Sequence, residues 1–138
     1  MTTSQKLLAA AFSFAGTMHF LRPRAYEAVM PPYVPRHRES VIVSGAAEIV
    51  GGLAVISPST RGFARWWLTG LLIAVFPANV HMALHPDQVA KRGVPTDRIP
   101  AWLLWARLPI QTLFIAWAWR ATEPTPAAAT EAGRRGRR

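Results

Sequence analysis

The chain has 138 residues, of which 51% are hydrophobic, and its 16 Lys and Arg outweigh 7 Asp and Glu, giving a formal net charge of +9. It contains no cysteine, which excludes disulfides, thiol–disulfide exchange and thiolate-ligated iron–sulfur clusters within the chain. Such a positive charge is typical of nucleic-acid-binding proteins. Here the basic residues lie almost wholly in connections and tails, so anionic lipid headgroups are the expected partner and nucleic acid is not.

The apolar residues fall in four blocks, at Leu7–Leu21, Val41–Ile56, Phe63–Leu84 and Ala101–Trp119. A bilayer core about 30 Å thick needs about 20 mostly apolar residues in a helix. The last two blocks meet this length, and the first two reach it with flanking residues or local thinning of the bilayer. A soluble bundle would carry polar side chains along one side of each helix, which these blocks lack. The sequence therefore predicts an all-α fold, a bundle of four transmembrane helices over residues 1–120.

The predicted topology places both termini on the same side of the membrane. The first block is expected to be a retained helix and not a signal peptide, since no small-residue cleavage site followed by a hydrophilic domain is evident. Lys and Arg are nearly balanced between the two sides, and a basic tail that need not be translocated favours cytoplasmic termini. Residues 121–138, which end in an arginine-rich run, are predicted to form a disordered basic tail.

The connection between the first two helices is rich in proline and is predicted to be ordered. It runs from about Arg22 to Ser40, and proline fixes the backbone and removes amide donors there. We expect it to cover one end of the bundle as a lid. The prolines are Pro23, Pro31, Pro32 and Pro35, and the tyrosines are Tyr26 and Tyr33.

Six polar side chains lie inside the predicted spans, where each costs a few kcal/mol and needs a partner or a purpose. With about 1.5 Å of rise per residue, Glu48 and Arg107 both lie roughly 10 Å from the membrane face that holds the lid. The others lie at similar or smaller depths, except one that lies a helical turn beyond Arg107. The sequence thus predicts one ligand-binding cluster beneath the lid. Its members are His19, Glu48, Asn79, His81, Arg107 and Gln111.

The surroundings of Glu48 predict that it faces the bundle interior. Gly45, Glu48 and Gly52 share one helical face, and small residues allow a neighbouring helix to approach closely. Two interpretations are open and can coexist. Glu48 forms a structural ion pair with Arg107, or it is a carboxylate that exchanges protons or binds a ligand.

Prolines inside two of the predicted helices indicate a small cavity at the same depth. Pro77 removes one helical hydrogen bond, and the freed carbonyl needs a donor such as Asn79, Gln111 or water. Pro109 acts similarly beside Arg107 in the last helix.

The histidines raise the question of a metal. His81 and His85 are four residues apart, which can place two imidazoles on one ion. A metal held by His19, His81 and Glu48, or a haem held by the first two, is the alternative. However, His85 precedes Pro86 at a span end where solvent is expected, and nothing else marks a large planar pocket. We therefore predict no metal site, and no phosphate loop or dinucleotide fingerprint supports a nucleotide cofactor.

These motifs together resemble the DoxX-like family of small bacterial four-helix membrane proteins, over about residues 5 to 120. The resemblance implies a multi-pass protein of the bacterial cytoplasmic membrane, with His19, Glu48, Asn79 and His81 as its characteristic polar positions. It also implies a link to quinone-reducing or other membrane redox complexes. The motifs are Gly16–Phe20 with Pro23, Met30–Pro35, Ser44–Glu48 with Gly51 and Gly52, and Phe76–Leu84.

The leading functional hypothesis is a redox-associated accessory subunit whose polar cluster binds the head of a quinone. An imidazole can donate to a quinone carbonyl, and a carboxylate can take or supply the accompanying proton. Electrons would come from a membrane or peripheral redox protein. The alternatives are a structural or assembly protein, a small-solute or proton transporter that oligomerises, and a membrane enzyme with Glu48 and His81 as candidate acid and base.

Overall fold

The computed structural model describes residues 1–123, and over these residues the protein is all-helical, with no β-strand. The predicted all-α class is confirmed, and four long helices cover the four apolar blocks. Residues 124–138, which hold most of the predicted basic tail, lie outside the described residues. The helices are α1 Thr3–Leu21, α2 Pro23–Val29, α3 His37–Ala54, α4 Arg61–Leu84, α5 Pro86–Lys91 and α6 Ala101–Ala121, with a 3-10 helix at Thr96–Arg98.

The four long helices form a bundle in which sequential neighbours run antiparallel. α1 packs most extensively on α3, α4 packs on α6 and α3, and α6 returns to α1. Two apolar clusters fill the interior, one towards each end of the bundle. The first is built on Leu8, Phe12, Val55, Leu68 and Ala118, and the second on Met82, Val89 and Leu104.

The close packing of α1 on α3 depends on glycine. A Cβ atom on Gly45 would lie 2.6 Å from the Cβ of His19 and 2.8 Å from the carbonyl oxygen of Gly16. A Cβ atom on Gly52 would lie 2.8 Å from the Oγ of Ser13. Real Cβ atoms do not approach neighbours this closely, so side chains here would force the helices apart. The predicted glycine face of α3 is confirmed.

The terminal end of the bundle comprises the start of α1, the α3–α4 turn and the end of α6, and the buried polar side chains described there are paired. Thr2 and Gln5 form a capping box at the start of α1, and the Gln5 amide also donates to the carbonyl of Ala121 at 3.0 Å. The buried Arg61 donates to the carbonyls of Val55 and Ile56 at 3.0 and 3.3 Å. The positive charge of Arg61 at the C-terminal end of α3 also interacts favourably with the helix dipole.

Tryptophans extend this pairing along α6. The indole of Trp117 donates to Ser4 Oγ at 2.8 Å, and the indole of Trp119 donates to Thr69 Oγ1 at 2.9 Å. The guanidinium of Arg65 lies 4.8 Å from the centroid of the Trp119 ring. These contacts tie α6 to α1 and α4 at the terminal end.

The opposite end is covered by a lid that consists of α2, the segment Met30–Arg36, α5 and the 3-10 helix. α2 contacts α3, α4 and α5, so the predicted ordering of the first connection is confirmed. The sequence did not predict that the third connection would complete the lid, with α5 beginning at Pro86. The guanidinium of Arg92 joins the two parts of the lid by donating to the carbonyl of Met30 at 3.1 Å.

Four membrane spans were predicted, but among the helices of the described region α4 alone is long and apolar enough to cross a membrane, judged by length and composition. It remains helical across Pro77, as α6 does across Pro109.

Candidate functional site

A cavity of about 690 Å³, the lid cavity, lies between the lid and the bundle. Apolar side chains such as Val41, Val75 and Met82 make up most of its wall. Seven polar residues complete the lining, and this combination is typical of small-molecule sites. The polar residues are His19, Tyr26, Ser40, Ser44, Glu48, Asn79 and Arg107.

Glu48 lies on the lid cavity with 9% of its surface exposed. Its Oε2 atom is 3.5 Å from the Nδ1 atom of His19 but makes no hydrogen bond within residues 1–123. The same Nδ1 lies 2.9 Å from the carbonyl oxygen of Ala15, and it must carry the proton because a carbonyl only accepts. That proton is therefore directed along α1. Glu48 keeps a buried acceptor atom that no donor in the described chain satisfies.

The predicted ion pair between Glu48 and Arg107 is wrong, because the basic side chain that lies within 4 Å of the Glu48 carboxylate is the imidazole of His19 and not Arg107. Arg107 is exposed, lines the lid cavity and donates through Nη1 to the sulfur of Met82 at 3.6 Å. Equal depth along two helices does not fix the directions in which their side chains point. Arg107 projects from α6 towards α4, while Glu48 lies against α1.

Asn79 and Gln111 join α4 to α6. The Asn79 amide donates to Gln111 Oε1 at 2.7 Å, and the Gln111 amide donates to the carbonyl of Leu72. Asn79 and Gln111 were both predicted as possible donors to the carbonyl of Ile73, from which Pro77 removes the amide partner, but Gln111 bonds the neighbouring carbonyl of Leu72 and Asn79 bonds Gln111. Gln111 was predicted to bind ligand, yet it does not line the lid cavity. It positions Asn79, which does.

His81 was predicted to join the cluster, but it does not line the lid cavity. It is buried, its Nε2 atom has no hydrogen-bond partner within residues 1–123, and its ring centroid lies 5.1 Å from that of the exposed His85. Residues two apart on a helix point in nearly opposite directions, so Asn79 faces the cavity and His81 does not. The proposed acid–base pair of Glu48 and His81 is therefore not assembled.

Because His81 points away from the lid cavity, the three ligands of the alternative metal site are not brought together. His19 and Glu48 are together, but His81 is not with them. In the described part of the chain, no group of three or more His, Cys, Asp or Glu side chains is placed to hold a metal ion.

Tyr26 belongs to the site, although the sequence indicated only an interfacial role for its ring. The ring stacks on that of His19 with centroids 3.7 Å apart and an interplanar angle of 25°. Burial raises the pKa of the Tyr26 hydroxyl, Glu48 raises it further and Arg107 opposes them. Since the ordinary pKa of tyrosine is about 10, this hydroxyl stays a donor at neutral pH. Only the helical geometry of α2 places it over His19.

The fold and the site define an all-helical bundle with an amphiphilic cavity closed by a helical lid. Residues 8–122 match the family described as "Domain of unknown function (DUF8561)", so the chain belongs to this family. No curated protein and no solved structure shows significant similarity to the chain.

Proposed function

We propose that the protein is a multi-pass membrane protein in which α1, α3, α4 and α6 cross the bilayer. These helices have 18 to 24 residues, which gives them lengths of roughly 27 to 36 Å, near the bilayer core of about 30 Å. Large apolar side chains are exposed on all four, including Phe14, Val43, Ile73 and Leu113. A bilayer would cover these side chains, which a monomer in water would leave exposed.

The burial of α4 supports this proposal. Only 22% of its apolar window is buried within the protein, whereas the core helix of a soluble protein would be mostly buried. Bacterial membranes treated with sodium carbonate at alkaline pH would test it. The full chain should stay in the pellet and require detergent for extraction, while release into the aqueous fraction would contradict the proposal.

We further propose that the lid cavity binds the head of a quinone, as expected for a redox-associated accessory subunit of DoxX-like type. The observation that carries this proposal is the buried Oε2 of Glu48, an acceptor to which no group of residues 1–123 donates, in an apolar-walled cavity. Such an atom costs free energy unless a ligand satisfies it. A quinol hydroxyl supplies the missing donor, and the apolar wall accommodates its ring.

The roles of the residues follow from their chemistry. Oxidation of the quinol releases two protons and two electrons. Glu48 accepts one proton, the other leaves to solvent, and both electrons pass to a redox protein partner. Arg107, Tyr26 and Ser44 line the cavity and offer donors to the second ligand oxygen. His19, held by Ala15 and Tyr26, fixes the wall beside Glu48.

The test is direct binding to protein purified in mild detergent. Co-purified lipids are extracted and analysed for quinones, and a short-chain quinol is then titrated anaerobically while tryptophan fluorescence is followed. Wild type should bind, and Glu48→Gln should bind at least tenfold more weakly. Glu39→Gln, an exposed lid-side carboxylate, is the matched control and should bind like wild type. Equal affinity in all three proteins would contradict the quinol site.

A structural function is the second candidate, and specific contacts favour it. Glu48 and His19 link α3 to α1, and Asn79 and Gln111 link α4 to α6. If these pairs only specify helix packing, Glu48→Gln should lower the unfolding temperature and the purified protein should bind no quinol.

A further inference from the structure

A second cavity, the arginine pocket, opens on the lid beside the end of α1. It has a volume of about 710 Å³, and none of the described residues that line it is acidic. Four arginines converge there from the α1–α2 junction, the first turn of α3 and the end of α5. They are Arg22, Arg24, Arg38 and Arg92, and the pocket is completed by Leu21, Pro23, Ala25 and Gly93.

Within the described residues, only one of these charges has a carboxylate partner. Arg38 pairs with Glu27 at 3.1 Å. Arg92 donates to the carbonyl of Met30, which satisfies a donor but leaves the charge in place. The side chains of Arg22 and Arg24 make no hydrogen bond or ion pair inside residues 1–123. Gathering like charges costs free energy, and a bound anion would offset that cost.

We propose that the arginine pocket binds the phosphate of an anionic phospholipid headgroup, an inference that rests on the proposed membrane location. Guanidinium groups match phosphate oxygens through paired, charge-assisted hydrogen bonds. The pocket lies at the end of α1, the level at which a spanning helix leaves the bilayer. Leu21, which lines the pocket, is 69% exposed and offers an apolar surface to the lipid below its headgroup.

The bound lipid also stabilises the closed lid. Arg24 lies on α2, the helix whose Tyr26 covers His19. Arg92 bonds Met30, which lines the lid cavity. A headgroup that bridges these arginines links α2, α3 and α5 and so holds the lid over the cavity.

The experiment uses the full chain in neutral detergent, with lipid retention measured by native mass spectrometry. Phosphatidylglycerol is compared with zwitterionic phosphatidylcholine, and inorganic phosphate is added as a competitor. The test variant is Arg22→Gln with Arg24→Gln. The control is Lys91→Gln with Arg98→Gln, which removes the same charge from exposed positions on the same end outside the pocket.

Wild type and the control should retain phosphatidylglycerol in preference to phosphatidylcholine. The test variant should bind phosphatidylglycerol roughly tenfold more weakly or worse, since each basic residue near a membrane surface adds measurably to anionic lipid affinity. Millimolar inorganic phosphate should displace little lipid. The proposal is overturned by equal retention of the two lipids, by equal loss in both variants, or by full displacement with phosphate, which would indicate a site for the free ion.

Failure of this inference is distinguishable from failure of the membrane proposal. If carbonate releases the chain from membranes, the membrane proposal fails and the lipid site fails with it. If the chain stays in the membrane and yet shows no preference for phosphatidylglycerol, only the arginine pocket has been misassigned.

Discussion

The two ends of the bundle treat their buried polar groups differently. At the terminal end Gln5, Arg61, Trp117 and Trp119 all donate to defined acceptors. At the lid cavity and the lid end of α4, three buried side-chain atoms have no hydrogen-bond partner within residues 1–123. They are Ser44 Oγ, Glu48 Oε2 and His81 Nε2.

This difference indicates that the terminal end serves the stability of the bundle and that the lid cavity serves its function. Buried polar groups are nearly always hydrogen-bonded, so a fully paired end needs only a structural explanation. Two of the unpaired atoms, Ser44 Oγ and Glu48 Oε2, belong to residues that line the lid cavity, which indicates groups available to a ligand. We therefore expect substitutions at the terminal end to change the stability alone, and substitutions at the lid cavity to change mainly ligand binding.

The largest loss of stability is expected from Arg61→Met. This change removes charged donors from the carbonyls of Val55 and Ile56 and should cost about 3 kcal/mol, since hydrogen bonds to charged groups contribute about 1.5–3 kcal/mol each. The free energy of unfolding is followed by tryptophan fluorescence in detergent. Arg120→Met is the control at an exposed position on the same end and should have little effect. Reduced quinol affinity in folded Arg61→Met protein would contradict the expectation that the terminal end affects stability alone.

The second largest effect is expected from Gly45→Ala, which crowds the contact between α1 and α3. The added methyl group would meet His19 and the backbone of Gly16, and overpacking typically costs about 1–3 kcal/mol. Gly70→Ala is the matched control, because a Cβ atom there has no neighbour within 4 Å. Since alanine has a higher helix propensity than glycine, Gly70→Ala should leave the unfolding temperature unchanged or raise it. Equal effects of the two substitutions would argue against the tight helix contact.

A smaller effect is expected from Trp119→Phe at the terminal end. It removes the bond to Thr69 Oγ1 while keeping an aromatic ring, and a single hydrogen bond contributes about 1 kcal/mol. Asn79→Ala removes one bond at the lid cavity and sharpens the comparison. Both variants should lose similar stability, but only Asn79→Ala should alter quinol binding. Altered binding in Trp119→Phe would show that the two ends are not separable.

The sequence predicted the long helices well but not the short ones. The four apolar blocks predicted α1, α3, α4 and α6, with ends that lie within a few residues of the observed helix ends. α2 and α5 have seven and six residues, too few for hydropathy to reveal, although Pro23 and Pro86 stand at their first positions, where proline favours a helix start.

The candidate site was predicted by depth but not by direction. The spacing of the glycines correctly predicted that Glu48 faces a closely packed helix, which is α1. This could be predicted because the volume of the side chains decides how closely two helices can approach. Rise per residue placed Arg107 and His81 at suitable depths. Arg107 does line the lid cavity with Glu48, although the two do not pair, whereas His81 points away from the cavity. The stacking of Tyr26 on His19 depends on tertiary placement of the lid, which local sequence does not encode.

The central claim is that Glu48 serves a ligand and not the stability of the bundle. Glu48→Gln tests it in one paired measurement of the unfolding temperature with and without short-chain quinol. The account predicts that the variant unfolds at the wild-type temperature or slightly above, because it removes an incompletely paired buried charge, and that quinol raises only the wild-type value. A lower unfolding temperature for the variant, with an unchanged shift on adding quinol, would contradict the account.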